Sequence, residues 1–195
     1  MKFFIATKNG NKIKEFSRIF SDMGIEFVCE NDFDSVMPEP EENGMTFSEN
    51  ALIKARAGLQ FSGLPAIADD SGLCVDALGG KPDIFSARYA GPNCDSDENN
   101  KKLLHELKNV PLNRRTAYFI CVIACVFPDG REFTVEGRCD GLIDISPSGK
   151  GGFGYDPLFI SELGKFSEIT PEQKDKVSHR GKAIKLFKER LNEYI

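Results

Sequence analysis

The chain has no tryptophan, only two histidines and no pair of cysteines in a C-x-x-C spacing. Zinc sites are usually built from clustered cysteines and histidines, so we expect no zinc site here. The six cysteines are instead predicted to be reduced structural thiols. Cys121 and Cys125 lie in an apolar run that is typical of a strand, where we expect them to be small core residues on one face.

A long apolar run is also missing, since no stretch approaches the roughly 18 residues needed to span a bilayer. Positive charge is not in excess either, because the formal net charge is -5 at pH 7. An acidic chain offers no extended face for nucleic acid or an anionic membrane, so neither is predicted as a partner. Local groups of lysines can still bind a small anionic ligand, and the cytoplasm is the expected compartment.

What the chain does contain is enough apolar material for one good core. It has 195 residues, of which 41% are hydrophobic and 28% are charged. This length is short for two independent domains, and it suits a single domain that folds as two lobes.

The stretch Pro65–Leu73 combines a short apolar run with two adjacent carboxylates, Asp69 and Asp70, and then Ser71-Gly72. The pattern predicts a buried strand that ends at these carboxylates, where α/β proteins place their chemistry. Two neighbouring aspartates that lose water repel each other, and a hard divalent cation such as Mg2+ can compensate them. The alternative is a strand followed by an Asp-Ser-Gly turn without any site.

The N-terminal segment predicts a strand, a polar turn and a helix in succession. The strand covers Lys2–Thr7 and the turn Lys8–Lys12, and apolar residues recur at helical spacing from Ile13 to Met23, ahead of Gly24. Such a turn suits phosphates, because free N–H groups and the positive end of the helix dipole point at it. It lacks the Walker A pattern, and a solvated connection without a ligand is the alternative.

An acidic loop and a well-marked helix follow. Residues Glu30–Gly44 are acidic and contain prolines, which predicts a solvated loop. Thr46 and Glu49 have the spacing of a capping box. The helix that they begin should end near Gly63, and it carries Lys54 in its second turn.

The pattern changes to β in the second half of the chain. The runs Thr116–Phe127 and Arg131–Arg138, joined by a Pro-Asp-Gly turn, predict a hairpin. Gly141–Ile145 is predicted to add a further strand.

A glycine-rich segment at Ser148–Pro157 has four glycines around Phe153. Its backbone can pass close to a flat ligand, and its exposed ring is suited to stacking on a nucleobase. The alternative is a flexible loop whose phenylalanine anchors it to the core.

Two helix starts close the sequence. Thr170 caps the first, and Lys174 is predicted in its first turn, where a cation opposes the helix dipole. Ser178 caps the second, which puts His179 and Arg180 at a helix N-terminus as well. These cations are candidates to contact an anion or an acceptor-rich ligand, and a solvated helix start is the alternative.

Six motifs carry these candidates: Thr7-x-Asn9-x-x-Lys12-x-x-Glu15, Glu42-x-Gly44-x-Thr46-Phe47-x-Glu49-Asn50-Ala51-x-x-Lys54-Ala55, Ala68-Asp69-Asp70-Ser71-Gly72-Leu73, Ser86-Ala87-Arg88-Tyr89-Ala90-Gly91, Gly152-Phe153-Gly154-Tyr155-Asp156-Pro157 and Ser178-His179-Arg180-Gly181. Together they resemble the inosine triphosphate pyrophosphatase family, also called Ham1-like, and within it the bacterial dITP/XTP pyrophosphatase branch. The resemblance covers essentially the whole chain. Each motif alone is weak, whereas six in the family's order are strongly specific.

The resemblance implies an α/β fold with an elongated mixed β-sheet flanked by helices and two lobes around a central nucleotide cleft. It implies that residues 1–195 form a single domain and that the protein is a homodimer. The implied reaction is Mg2+-dependent hydrolysis of dITP or ITP and of XTP or dXTP to the monophosphate and pyrophosphate, which removes these nucleotides from the pool. The alternatives are a Maf-type pyrophosphatase of pyrimidine or modified nucleotides, and an inactive nucleotide-binding regulator.

By the same resemblance, Glu42 and Asp70 match metal-binding positions, and Asp70 also matches the proton acceptor. Asp69 can orient or tune Asp70, and adjacent acids titrate as a coupled pair, so the sequence leaves open which of the two is the base. Arg180, with His179, should favour 6-keto purines, because its donors suit O6 and N7 whereas adenine presents an amino donor. The implied substrate-contacting residues are Thr7, Lys8, Asn9, Gly10, Asn11, Lys12, Lys54, Ser71, Phe153, Gly154, Tyr155, Asp156, Lys174, His179 and Arg180.

Overall fold

A computed structural model describes residues 2–20 and 24–194 of the chain. Its strands are β1 (Lys2–Ile5), β2 (Glu26–Val28), β3 (Ala66–Val75), β4 (Thr116–Val126), β5 (Glu132–Ile143), β6 (Phe159–Ser161) and β7 (Gly164–Lys165). Its α-helices are α1 (Gly10–Ile19), α2 (Phe47–Ser62), α3 (Ser96–Glu106), α4 (Pro171–Val177) and α5 (His179–Leu191). Short 3-10 helices cover Glu30–Asp32, Asp76–Leu78, Asp83–Arg88 and Leu112–Arg114. Within these described ranges, no helix has the length and apolar character that crossing a membrane requires.

The strands form one mixed sheet in the order β2-β1-β3-β4-β5-β6-β7. Strand β1 pairs in parallel with both of its neighbours, so that Lys2 lies opposite Glu26 and Phe4 lies opposite Ala66. Strand β6 runs antiparallel to β5 and to β7. Parallel neighbours need crossover connections, which α1 and α2 supply. The prediction of an α/β fold with a mixed sheet and helices is confirmed.

The chain divides into two compact units, and the first comprises residues up to 70, residues 121–137 and residues from 183 onward. Its buried core contains Phe3, Ile5, Phe16, Phe20, Ile67, Cys121, Ile123, Cys125, Phe127, Phe133, Ala183, Ile184, Phe187 and Leu191. Burying a phenylalanine side chain completely stabilises a fold by roughly 1.5–3 kcal/mol, so these rings dominate the packing. Cys121 and Cys125 lie on the same face of β4 in this core, as predicted, and all six cysteines are free thiols.

The second unit comprises residues 71–120 and 138–182 and has a separate core. That core contains Leu73, Val75, Leu103, Leu107, Ala117, Phe119, Cys139, Ile143, Tyr155, Leu158, Phe159, Phe166 and Val177. The ring of Phe159 lies 4.7 Å from that of Phe119 and 4.9 Å from that of Phe166, measured between centroids.

Four elements carry the chain from one unit to the other. Strand β3 does so at residues 70–71, β4 at 120–121, β5 at 137–138 and helix α5 at 182–183. Because these elements continue from one unit into the other, we propose that residues 1–195 form a single domain.

The predicted helix boundaries depend on local caps, and the structure contains these caps. The hydroxyl of Thr46 accepts from the amide of Glu49 at 3.1 Å, and the Glu49 carboxylate accepts in return from the amide of Thr46 at 3.1 Å. Gly63 ends α2 with a left-handed φ of 69°. Ser178 caps α5 by accepting from the amide of Gly181 at 3.1 Å.

The prediction that a strand ends at Asp69 and Asp70 is wrong, because β3 continues to Val75. Leu73 and Val75 are fully buried in the core of the second unit, and this burial keeps the chain extended past the polar residues. The alternative of an Asp-Ser-Gly turn fails for the same reason. Both carboxylates therefore project from the middle of a buried strand and require charged partners.

Two other boundaries differ from prediction. Residues Gly10–Lys12 form the first turn of α1 rather than part of a turn ahead of it. Residues Gly141–Ile143 extend β5 rather than form a further strand. A Cβ at Gly141 would lie 2.3 Å from the carbonyl oxygen of Ile160, so glycine lets β6 approach an uninterrupted β5. The helical residue predicted at Met23 lies outside the described residues.

Candidate functional site

Five charged side chains of the first unit form a group that we name the acid–lysine cluster: Lys12, Glu42, Lys54, Asp69 and Asp70. The Nζ atom of Lys12 lies 2.9 Å from Oδ2 of Asp69. The Nζ atom of Lys54 lies 2.6 Å from Oδ1 of Asp70 and 3.3 Å from Oε2 of Glu42. The cluster therefore joins three carboxylates to two ammonium groups.

Strand geometry explains why two lysines on different helices are needed. Neighbouring residues of a strand face opposite sides of the sheet, so the side chains of Asp69 and Asp70 diverge. Lys12 lies in the first turn of α1 and pairs with Asp69. Lys54 lies in the second turn of α2 and pairs with Asp70. Each carboxylate that the strand buries thus has its own cation.

Burial and charge act in opposite directions on the bonded pair of Asp70 and Lys54. Burial raises the pKa of the Asp70 carboxyl above its usual value, against the lowering effect of Lys54 and Lys12. Burial alone lowers the pKa of Lys54, but the carboxylates of Asp70 and Asp69 outweigh it and hold this pKa above its usual value. Lys54 is therefore charged at neutral pH, and Asp70 binds a proton more readily than an aspartate in water does.

The two aspartates differ in accessibility. The side chain of Asp69 is 0% exposed, and it lies between Lys12 and the thiol of Cys121, whose Sγ is 3.9 Å from Oδ2. The side chain of Asp70 is 12% exposed and that of Glu42 is 32% exposed. An incoming group can therefore reach Asp70 and Glu42 but is kept from Asp69.

The oxygen donors of Glu42 and Asp70 suit a hard divalent cation. Both carboxylates already contact the same positive group, the ammonium of Lys54. Mg2+ commonly binds proteins through one or two carboxylates and completes its coordination with water and phosphate oxygens. Within residues 2–20 and 24–194, no group of three or more His, Cys, Asp or Glu side chains is arranged to hold a metal ion. Glu42 and Asp70 would supply two such ligands.

The predicted phosphate-binding turn is a capped helix start. The side chain of Asn9 accepts from the amides of Asn11 and Lys12 at 3.0 and 3.3 Å, and Thr7 Oγ1 accepts from the amide of Asn9 at 3.2 Å. The exposed residues of the segment are Lys8, Asn9, Gly10 and Asn11. An anion at this helix start would meet exposed backbone beside the ammonium of Lys12.

A second group of candidates lies in the second unit, and we name it the aromatic–cation cluster: Ser71, Phe153, Asp156, Lys174 and Arg180. Oδ2 of Asp156 accepts from the amide of Phe153 at 2.8 Å and from Nζ of Lys174 at 2.6 Å. Nζ of Lys174 and Cζ of Arg180 lie 4.8 and 5.8 Å from the centre of the Phe153 ring. Nη2 of Arg180 donates to Oγ of Ser71 at 3.0 Å. A partly exposed aromatic ring thus has two cations beside it.

The prediction that Lys174 lies in the first turn of a helix is wrong. Helix α4 spans only Pro171–Val177, and Lys174 belongs to its last turn, so the lysine does not oppose the helix dipole. Its charge is compensated by Asp156, in an ion pair that is almost entirely buried. Removing one partner of such a pair leaves an uncompensated buried charge, which costs about 3–5 kcal/mol.

Two further predicted residues are packed inside the second unit. The ring of His179 stacks on that of Phe119, with 4.6 Å between centroids and 12° between planes. The hydroxyl of Tyr155 donates to the carbonyl of Ser86 at 2.8 Å, and its ring belongs to the apolar core. A ligand contact at Tyr155 would therefore come from its backbone.

Sequence reasoning did not identify three residues that hold these candidates in place. Asn100, on α3, donates to the carbonyl of Gly154 at 3.0 Å, and Phe119 stacks on His179. Lys165 binds the segment that leads to Phe153. Of these three, only Asn100 could have been noticed in the sequence, because asparagine is a poor helix former and is unusual within a helix. Once buried, its amide needs a hydrogen-bonding partner.

The chain is similar to known proteins over almost its whole length. The Ham1 family matches residues 3–190. The dITP/XTP pyrophosphatase of Geobacter sulfurreducens is 48% identical over 192 residues, which make up 97% of this chain and 96% of the relative. A dITP/XTP pyrophosphatase of Geobacillus kaustophilus is 47% identical over 193 residues, or 98% of this chain and 94% of the relative.

Solved structures have the same fold. A HAM1 protein from Coxiella burnetii superimposes with a TM-score of 0.88 at 38% identity, and the match covers 99% of each chain. A nucleoside-triphosphatase, also called dITP/XTP pyrophosphatase, from Mycobacterium abscessus gives a TM-score of 0.76 at 44% identity, with 96% of this chain and 97% of the other covered.

Proposed function

Because this chain belongs to the Ham1 family, we infer that it hydrolyses non-canonical purine nucleoside triphosphates, the substrates for which its dITP/XTP pyrophosphatase relatives are named. The bond that breaks joins the α and β phosphates, and the products are the monophosphate and pyrophosphate. Hydrolysis removes dITP, ITP, XTP and dXTP from the nucleotide pool.

The observation that carries the catalytic assignment is the convergence of Glu42 and Asp70 on the ammonium group of Lys54. A site for a triphosphate and its metal ion needs two kinds of side chain close together: lysines, which bind the phosphate oxygens, and carboxylates, which bind the metal ion. The acid–lysine cluster offers both. We therefore assign the triphosphate to this cluster and to the helix start at Thr7–Lys12.

Glu42 and Asp70 would hold a Mg2+ ion. When bound, this ion would offset negative charge on the phosphate oxygens. Their oxygen ligands and their common contact with a cation support this assignment.

We assign the general base to Asp70 rather than Asp69. Asp70 is the more accessible carboxylate, and its position is the one that the family resemblance assigns to the proton acceptor. In the proposed step, water attacks the α phosphorus and gives a proton to Asp70 as the new P–O bond forms. The bond from this phosphorus to the bridging oxygen breaks, and pyrophosphate leaves with its electron pair.

The two lysines of the acid–lysine cluster stabilise the charge that grows on the leaving pyrophosphate. Lys54 also orients Asp70 through the 2.6 Å bond. Asp69 is fully buried and bonded to Lys12, so its proposed role is to hold that lysine in place.

The aromatic–cation cluster is assigned to the purine base. The ring of Phe153 offers a stacking surface, and Arg180 is a donor that suits the O6 and N7 acceptors of hypoxanthine and xanthine. Adenine presents an amino donor at the same position, which an arginine does not satisfy.

One assay tests this function. The purified protein is incubated with Mg2+ and each of dITP, XTP, dATP, dGTP, dTTP and UTP, and pyrophosphate is measured separately from orthophosphate. We expect pyrophosphate from dITP and XTP. When the reaction is run in water labelled with oxygen-18, we expect the labelled oxygen in the monophosphate, because water attacks the α phosphorus. Preference for pyrimidine nucleotides would favour a Maf-type enzyme, and binding without turnover would favour a regulator.

Two variants locate the chemistry. Asp70→Asn should abolish pyrophosphate release without changing the circular dichroism spectrum, because the amide cannot accept the proton. Asp97→Asn, at an exposed position of α3, is the matched control and should retain full activity. Residual activity of Asp70→Asn close to that of the unaltered enzyme would show that another group is the base.

We also propose a homodimer in the cytoplasm, on the family resemblance. Size-exclusion chromatography coupled to light scattering tests the proposed dimer, because a mass near twice 21.7 kDa is expected for it.

A further inference from the structure

One buried lysine binds the segment that leads to Phe153 at several points. The Nζ atom of Lys165 lies 2.6 Å from Oγ of Ser148, 3.1 Å from the carbonyl oxygen of Ser146 and 2.7 Å from Oδ2 of Asp144. An ammonium group has three N–H donors, and here each has one acceptor. The lysine side chain is only 7% exposed, so the group is fully engaged inside the protein.

A second set of contacts involves Ser167, close by in the chain. Its hydroxyl donates to the carbonyl of Ser148 at 2.6 Å, and its own carbonyl accepts from the amide of Gly151 at 3.0 Å. Gly149 has a φ of 78°, and a Cβ there would lie 2.5 Å from the Ser167 hydroxyl. The backbone of residues 146–151, which we name the glycine segment, is therefore pressed against residues 165–167.

The glycine segment ends two residues before Phe153, and Phe153 itself is fixed by the bond from its amide to Asp156. Glycine-rich backbone loses much conformational entropy when it becomes ordered. If the glycine segment already loses this entropy when the protein folds, the Phe153 ring is in position before the base binds. Less of the binding free energy is then needed to order the loop.

We propose that Lys165 is a positioning residue for base recognition, which acts through Phe153 by holding the glycine segment in its binding conformation. The inference rests on the proposed function, because it assigns Phe153 to the base. Lys165 itself does not contact substrate in this proposal, since its three donors are occupied by Asp144, Ser146 and Ser148.

The first test separates binding from chemistry. Lys165→Met keeps most of the length of the side chain and removes the charge and all three donors. We expect KM for dITP to rise about tenfold and kcat to change by less than about twofold, since the acid–lysine cluster is unaltered. Lys165→Arg, which keeps the charge, should recover part of the loss in KM.

The second test is a double-mutant cycle with Phe153→Leu, which removes the aromatic ring. If Lys165 acts through Phe153, Lys165→Met should lower kcat/KM about tenfold in the unaltered chain and less than about twofold in the Phe153→Leu background. An equal fold-change in both backgrounds would overturn the proposal, because it would show a general structural effect. Hydrogen exchange at the amides of Ser146 and of residues 148–153 should become faster in Lys165→Met; Pro147 between them has no N–H.

The control variant is Lys102→Met. Lys102 is a partly buried lysine of the same unit that donates to the carbonyl of Tyr89 at 2.7 Å, far in sequence from the glycine segment. It should leave KM for dITP unchanged. If Lys165→Met fails to fold, Ser148→Ala removes one of the three acceptors and is tested in the same cycle, with the same criterion. Failure of the unaltered enzyme to hydrolyse dITP would refute the proposed function, whereas a normal enzyme with an unaffected Lys165→Met variant would refute only this inference.

Discussion

The ammonium group of Lys54 lies 2.6 Å from a carboxylate oxygen of Asp70, and this bond joins helix α2 to the middle of strand β3. We predict that Lys54→Met lowers kcat/KM for dITP by about 10²–10³, the usual effect of removing one group that stabilises transition-state charge. Arg56→Met is the control on the same helix, because its ion pair with Glu132 is exposed and worth at most about 1 kcal/mol. Steady-state kinetics of the two variants give the result, and a similar loss in both would contradict a specific role for Lys54.

Several elements could be predicted because their signals are local. The capping box at Thr46 and Glu49 and the glycine that ends α2 are decided by residues a few positions apart, and the structure contains both. The resemblance to a family supplied the candidate residues, and Lys12, Glu42, Lys54, Asp69 and Asp70 do lie together in one unit.

Other features depend on partners that are distant in sequence, and these escaped prediction. The course of β3 past Asp70 is decided by the burial of Leu73 and Val75 in a core built from many segments. The role of Lys165 follows from three acceptors on another loop. Nothing next to a lone lysine in the sequence distinguishes it from a surface residue.

Base selectivity provides a second prediction. Arg180→Ala should lower kcat/KM for dITP about tenfold or more and narrow its advantage over dATP, because an arginine matched to O6 and N7 contributes roughly 1–3 kcal/mol of discrimination. The values of kcat/KM for dITP and for dATP are measured with the same preparation of each variant. Arg190→Ala, at an exposed position of α5, is the control. An unchanged dITP to dATP ratio in Arg180→Ala would show that another group reads the 6-position.

Thiol reactivity provides a third prediction. Burial raises the pKa of Cys125 to about 12 and those of Cys74 and Cys139 to about 11, and Cys121 is fully buried in the first core. A thiol with a pKa of 11 is only about one part in a thousand thiolate at pH 8, and the thiolate is the reactive form.

We therefore expect only the two partly exposed thiols, Cys29 and Cys94, to react quickly with a disulfide reagent at pH 8. All six should react once the protein is unfolded in urea. Three or more fast equivalents in the native protein would contradict the buried positions.

The last prediction concerns acid stability and the partner of Lys165. The hydrogen bond from Lys165 lowers the pKa of the Asp144 carboxyl below its usual value, with further lowering by the amide of Ile145 and the charge of Arg115. The folded protein thus holds this proton more weakly than the unfolded chain does. The stabilisation is complete above the unfolded pKa of about 3.9, and it is lost as the pH falls through the folded pKa.

Asp144→Asn should lower the urea midpoint at pH 7, and the difference from the unaltered protein should shrink as the pH falls below about 4. Asp34→Asn, at an exposed position outside the helices and strands, should differ from the unaltered protein by less than about 0.5 kcal/mol throughout. A difference for Asp144→Asn that stays constant down to pH 2 would show that its ion pair with Lys165 does not stabilise the fold.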